Sequence, residues 1–142
     1  MIAARQGSFV LFPLGEKRFA LPAEIVTELA RPGRLQSFPH RTPLMLGVLA
    51  RRGRIVPVFD IARILVGPDA PSGRFYLIAN RQFETCREST AIPVTGECAL
   101  ASCVPDFPGS ELPEYVTGVL SVGTETIEVV DIERLIALED PA

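Results

Sequence analysis

Short apolar runs, each closed by glycine, proline or charged residues, set the pattern of this chain. Phe9-Val10-Leu11-Phe12 is apolar at four successive positions and reads as a buried strand. Gly15-Glu16-Lys17 follows as a polar turn, and Arg18-Phe19-Ala20-Leu21 as the returning strand of a hairpin. Pro22 stops that strand and suits the first turn of a short helix through Ile25. Leu46 to Ala50 and Ile55 to Phe59 predict a second hairpin around Arg51-Arg52-Gly53-Arg54, where Gly53 supplies a positive φ. Asp60 is placed as a helix N-cap, with Ile61, Ile64 and Leu65 on one helical face and Gly67-Pro68 ending the helix.

The same pattern returns further along the chain. A shift of 71 residues lays Gly47-Val48-Leu49 on Gly118-Val119-Leu120, Asp60-Ile61 on Asp131-Ile132, Arg63 on Arg134, and Ala20-Leu21-Pro22 on Ala91-Ile92-Pro93, without a gap. Asp131 repeats the capping device, with Ile132, Leu135 and Ile136 on the apolar face. A period of half the chain is too long for a solenoid. It predicts an internal duplication: two similar small β units of about five strands each. The approximate halves are 8–67 and 74–138 of a single domain, with interleaving left open; 67–74 is the joint and 105–113 a second loop.

Bulk composition narrows the function. With 142 residues, 47% of them apolar, the chain suffices for one compact domain that needs no staples. A net charge of −3 supplies no general field toward nucleic acid or anionic membrane. No apolar run approaches the roughly 18 residues of a membrane span. Met1 to Ser8 has no apolar stretch of the signal-peptide kind, so a cytoplasmic protein is expected. Cys86, Cys98 and Cys103 form no CxxC and are odd in number, and His40 is the sole histidine. They read as ordinary thiols and a surface imidazole rather than a disulfide framework or a zinc site. Neither a nucleophile elbow, nor a phosphate loop, nor a metal motif is present. A thiol enzyme and a small nucleic-acid-binding barrel are the rival classes. The first would need a base beside a cysteine; the second has Arg51, Arg52 and Arg54 for charge but no tryptophan and only two tyrosines for stacking.

In order and spacing these motifs resemble the CheW coupling proteins of bacterial chemotaxis. The resemblance rests on Phe9 to Phe12, Leu14-Gly15, Phe19 to Leu21, Val26-Thr27-Glu28-Leu29, Pro39 and Pro43, Gly47 to Gly53, and Pro57-Val58-Phe59-Asp60-Ile61. It continues with Glu114-Tyr115-Val116-Thr117-Gly118 and Val130 to Ile136. It implies an all-β fold of two small five-stranded SH3-like barrels with short helices, packed about a shared core with a pseudo-two-fold relation. It also implies a non-enzymatic cytoplasmic adaptor, without cofactor, metal or membrane insertion. The partners would be the cytoplasmic tip of methyl-accepting chemoreceptors and the regulatory domain of a CheA-type histidine kinase, in a two-component signalling array. Two places depart from the family pattern. Ala50-Arg51-Arg52-Gly53 stands where the family has N-L-R-G, and Val94-Thr95-Gly96-Glu97 where it has an acidic V-D-x-V. A divergent scaffold serving a non-flagellar output, such as pili, is the alternative within the class.

Carried over residue by residue, the partner-binding positions fall on Val26, Glu28, Gly47, Arg52 and Gly53. Val26 would offer an apolar knob to a receptor helix, and Arg52 a charge-assisted contact from a hairpin tip. Each also has a plain structural reading: Val26 as core, Gly47 as a close-packing glycine repeated at Gly118, Arg52 as part of a solvated basic turn.

Overall fold

The computed structural model describes residues 6–31, 35–36, 44–71, 73–83, 86–107 and 112–139, with backbone alone at 81–83, 86–87 and 139. Pro39, His40, Pro43 and the side chain of Cys86 lie outside the described residues. In chain order the strands are β1 (Gly7–Leu14), β2 (Lys17–Pro22), β3 (Val26–Ala30), β4 (Met45–Arg51) and β5 (Arg54–Phe59), then β6 (Phe75–Phe83), β7 (Cys86–Val94), β8 (Ala99–Cys103), β9 (Val116–Val122) and β10 (Glu125–Val130). A 3₁₀ turn, Ala23–Ile25, follows Pro22; helix α1 is Ala62–Leu65 and α2 is Ile132–Glu139.

Two five-stranded sheets form, in the orders β8-β1-β2-β10-β9 and β3-β6-β7-β5-β4. The 71-residue shift carries β4 onto β9 and β5 onto β10 residue for residue, and the second order is the first one translated by that shift. Neither half keeps its own strands together. β1 and β2 pair with strands of the second half, while β3, β4 and β5 share a sheet with β6 and β7. The halves meet at parallel pairings, Phe19 with Glu128 and Ala20 with Val129 in one sheet, Ala91 with Val58 in the other. The second pairing is shorter because Pro57 stands where Glu128 stands in its counterpart, and proline has no N–H for the ladder.

Each sheet closes on itself through a bridge after its edge strand. Gln36 and Val48 exchange backbone hydrogen bonds of 2.9 Å in both directions. Asp106 and Val119 do the same at 2.8 and 2.9 Å. Gly47 and Gly118 precede the bridged residues for a steric reason. A Cβ on Gly47 would lie 2.7 Å from the Gln36 carbonyl oxygen, and one on Gly118 3.4 Å from that of Asp106.

Strand alternation distributes the apolar residues over three cores. Phe9, Leu11, Ala20, Leu120, Ile127 and Val129 fill one barrel. Ala30, Leu49, Val56, Val58, Ile78 and Ala91 fill the other. The intervening residues, among them Phe12, Phe19, Leu21, Leu77, Ile92 and Leu135, form the seam between barrels. This explains the unbroken run Phe9 to Phe12: β1 is buried on both faces, as a half-exposed strand would not be.

The repeated aspartates act differently from one another. Both serve the backbone alike, the Asp60 N–H donating to Leu44 and the Asp131 N–H to Tyr115, each at 2.8 Å. Asp131 is also a true cap: its Oδ1 accepts from the N–H groups of Glu133 at 3.0 Å and Arg134 at 3.3 Å. Asp60 is not the N-cap expected of it. Ile61 stands there in helical geometry without a side-chain cap, and α1 is a single turn. The first turn is wound tightly, Ile64 N–H donating to the Ile61 carbonyl three residues back, which displaces the helix start past the aspartate.

A candidate docking surface at the edge of one barrel

β3 and β4 are the two edges of their sheet, and among the described residues the Gln36–Val48 bridge is the one backbone pairing on the outer flank of β4. Their side chains make up for the missing ladder. Arg51, the last residue of β4, grips Glu28 of β3 through Nε to Oε1 at 3.0 Å and Nη2 to Oε2 at 2.8 Å. This is the fork-on-carboxylate geometry that guanidinium makes best. Arg52 approaches the same carboxylate from one side only, Nη2 to Oε2 at 3.6 Å. The Arg51 hydrogen bonds, reinforced by the charges of Arg51 and Arg52 and opposed by partial burial, hold the Glu28 carboxyl below the usual glutamate range.

The hairpin that carries these arginines is as tight as a hairpin can be. Arg51 pairs with Arg54, leaving only Arg52 and Gly53 in the turn. Both have positive φ, 52° and 75°, the type I′ signature. Among the described residues Arg52 is the one non-glycine in that region, where asparagine, aspartate or glycine is the usual occupant. The turn thrusts its side chain outward to 80% exposure.

Val26 begins β3, half-buried against the shared seam. A register shift between Val26 and Glu28 breaks the alternation of the strand and lets both line one groove of about 320 Å³ between β3 and β8. Leu29 and Leu100 line it too, exposed to 37% and 77%, and they are equivalent under the 71-residue shift. Cys98 borders the same groove, and burial pushes its thiol up to about 11. The structure thus brings Val26, Glu28, Arg52 and Gly53 onto one edge of the molecule. Gly47 stands apart from them: it is buried, and its lack of a side chain admits Gln36. Sequence reasoning missed Arg51 and the Leu29–Leu100 pair. The first was visible as a departure at the hairpin, the second by extending the repeat to the edge strands.

Among the described residues no three His, Cys, Asp or Glu side chains gather as a metal site, and no helix is long and apolar enough to cross a membrane. Two barrels locked on a common seam, with an apolar groove and a charged hairpin at the rim, have the build of a rigid scaffold. The CheW-like domain family matches residues 8–140. Protein FrzA of Myxococcus xanthus is 27% identical, covering 94% of this chain and 88% of that protein. A probable chemotaxis protein CheW of Rhizobium etli is 23% identical, covering 89% and 84%. The crystal structure of the scaffolding protein TtCheW from Thermoanaerobacter tengcongensis shares the fold, with a TM-score of 0.76 at 16% identity, over 94% of this chain and 89% of that one. The chain belongs to the CheW-like domain family, whose members are scaffold and adaptor proteins and not enzymes.

Proposed function

We propose that this protein is a cytoplasmic adaptor that couples the cytoplasmic tip of chemoreceptors to the regulatory domain of a CheA-type histidine kinase. The observation that carries the reading is the gathering of Val26, Glu28, Arg52 and Gly53 on one barrel edge, with Glu28 and Arg52 in contact at 3.6 Å. Gly47 belongs to this reading as the residue that keeps the edge strand in place, through the Gln36 bridge. The shared seam makes the two barrels one body, so that force or displacement at the groove is felt at the hairpin. Coupling is then a difference in free energy between kinase-active and kinase-inactive arrangements of the assembly. Individual contacts are weak, about −8 kcal/mol or micromolar, and gain strength from repetition in an array.

Calorimetry with the CheA-type regulatory domain and with a receptor tip from the same genome tests the proposal. Wild type binds, and Arg52→Glu, still folded, binds at least about tenfold more weakly, near 1.4 kcal/mol. Absence of binding to both partners would overturn the coupling role and leave a CheW-like scaffold with another partner.

A further inference from the structure

Glu28 has one carboxylate and two arginine suitors. Arg51 satisfies both of its oxygens at 3.0 and 2.8 Å, and what remains for Arg52 is a one-sided contact at 3.6 Å. Arg52 is 80% exposed, against 42% for Arg51. Arg54, exposed on the other side of the turn, has no ion pair among the described residues. Glu88 lines the same cavity as Arg54 and makes no ion pair with it. Of the three guanidinium groups at the hairpin, Arg51 is therefore held by two short hydrogen bonds, Arg52 by one long contact, and Arg54 by no ion pair among the described residues. Next to Arg54, Ile55 is 70% exposed and lines one cavity with Gly53 and Arg54, so the charged tip is flanked by aliphatic surface.

We propose that Arg51 is a positioning residue that occupies Glu28 and thereby leaves Arg52 available, alongside Arg54, to hold the carboxylates of an acidic, aliphatic-flanked protein segment. The reading deepens the adaptor function and depends on it only for the partner's identity. Charge complementarity selects the occupant: free guanidiniums with open forks favour carboxylates. Ile55 favours a protein over a nucleic acid, since a single strand binds by stacking on aromatic rings and this tip offers an aliphatic side chain. The strained conformation of Arg52 fits a residue kept for contact, because a turn needs no arginine at positive φ.

The test has a conformational arm and a binding arm. Guanidinium-selective ¹⁵N relaxation reports the Arg52 side chain in the whole protein. It is mobile in the wild type and becomes ordered in Arg51→Leu, where Glu28 passes to it. An Arg52 already as ordered as Arg51 in the wild type overturns the proposal. In the second arm a peptide of alternating glutamate and leucine is titrated in. It shifts the Arg52 and Arg54 resonances and loses at least threefold in affinity in Arg51→Leu. Adding Glu28→Gln to that variant restores the affinity, whereas a merely structural clasp would be damaged further. Glu28→Gln alone keeps the peptide bound; its loss there, or stronger shifts with oligothymidylate than with the peptide, overturns the acidic-protein assignment. Failure of the kinase domain and receptor tip to bind, with the peptide still seated at the hairpin, removes the coupling role and leaves this inference standing. Kinase and receptor binding that ignores Arg51, Arg52 and Arg54 does the reverse.

Discussion

Thr90 occupies in β7 the place that Phe19 occupies in β2: the two are 71 residues apart, both fully buried, one filling the seam with a ring and the other leaving a hydroxyl there. The Thr90 Oγ1 has no hydrogen-bond partner among the described residues. An unpaired buried hydroxyl costs about 1–3 kcal/mol. Thr90→Val removes the polar atom at almost constant volume, so the protein should gain about 1 kcal/mol. Urea denaturation checks this as a higher midpoint with an unchanged slope.

The two repeated glycines should respond unequally to alanine. At Gly47 a Cβ meets a backbone oxygen at 2.7 Å, which must move, whereas at Gly118 the contact is 3.4 Å. Overpacking of the first kind costs about 1–3 kcal/mol. Gly47→Ala is expected to destabilise by about 2 kcal/mol, and Gly118→Ala by well under half of that, in parallel thermal melts.

The aspartates divide in the same way. Asp131 caps α2, so Asp131→Ala should cost about 1 kcal/mol. Asp60 is half-buried, and burial raises its carboxyl above the usual range, against the pull of Arg63 and the Ala62 amide. A raised acid prefers its neutral form in the folded protein, so its contribution is lost as pH rises through that interval. Asp60→Asn should therefore stabilise at pH 7 and do nothing at pH 3, as read from urea midpoints.

Two glutamates respond to acid in the sense opposite to Asp60. Glu28 is lowered by its hydrogen bonds to Arg51, and Glu125 by those to Arg18, whose Nη2 lies 2.6 Å away. Depressed carboxyls stabilise above the ordinary glutamate value of 4.5 and lose that contribution as pH falls through their own, lower values. Glu28→Gln and Glu125→Gln should each flatten the fall of stability below that value. Both pairs lie at the surface, so the effect is small and shrinks with salt.

Cys98 should be a poor nucleophile. Its thiol, raised by burial to about 11, is almost wholly protonated at pH 8. Alkylation followed by mass spectrometry should find it reacting at least tenfold slower than a free thiol of ordinary pKa, until denaturant equalises the two. Its folded value exceeds the ordinary 9.0, so stability should also fall as pH rises from 9 toward 11.

Much of this was legible in one dimension. Apolar spacing, proline and glycine marked the hairpins because burial on a strand face and positive φ in a turn are properties of neighbouring residues. Val26, Glu28, Gly47, Arg52 and Gly53 came from the order of motifs, and all but Gly47 lie on one barrel edge. The start of α1 differs from the expectation because Ile64 turns back to the Ile61 carbonyl in a tight single turn, which the spacing of apolar residues does not distinguish from the longer α2.

The sequence by itself determined the ten short strands, the duplication and the glycines that the close bridges require, since each follows from local sterics and from repeated identities. Only the tertiary structure decided which strands share a sheet. The two halves have nearly the same apolar pattern, so β3, β4 and β5 fit beside β6 and β7 as well as beside β1 and β2, and pattern cannot choose between equal partners. The clasp of Arg51 on Glu28 was decided in the same way. It joins opposite edges of one curled sheet, and the closure that brings those edges together depends on the whole barrel, not on either residue.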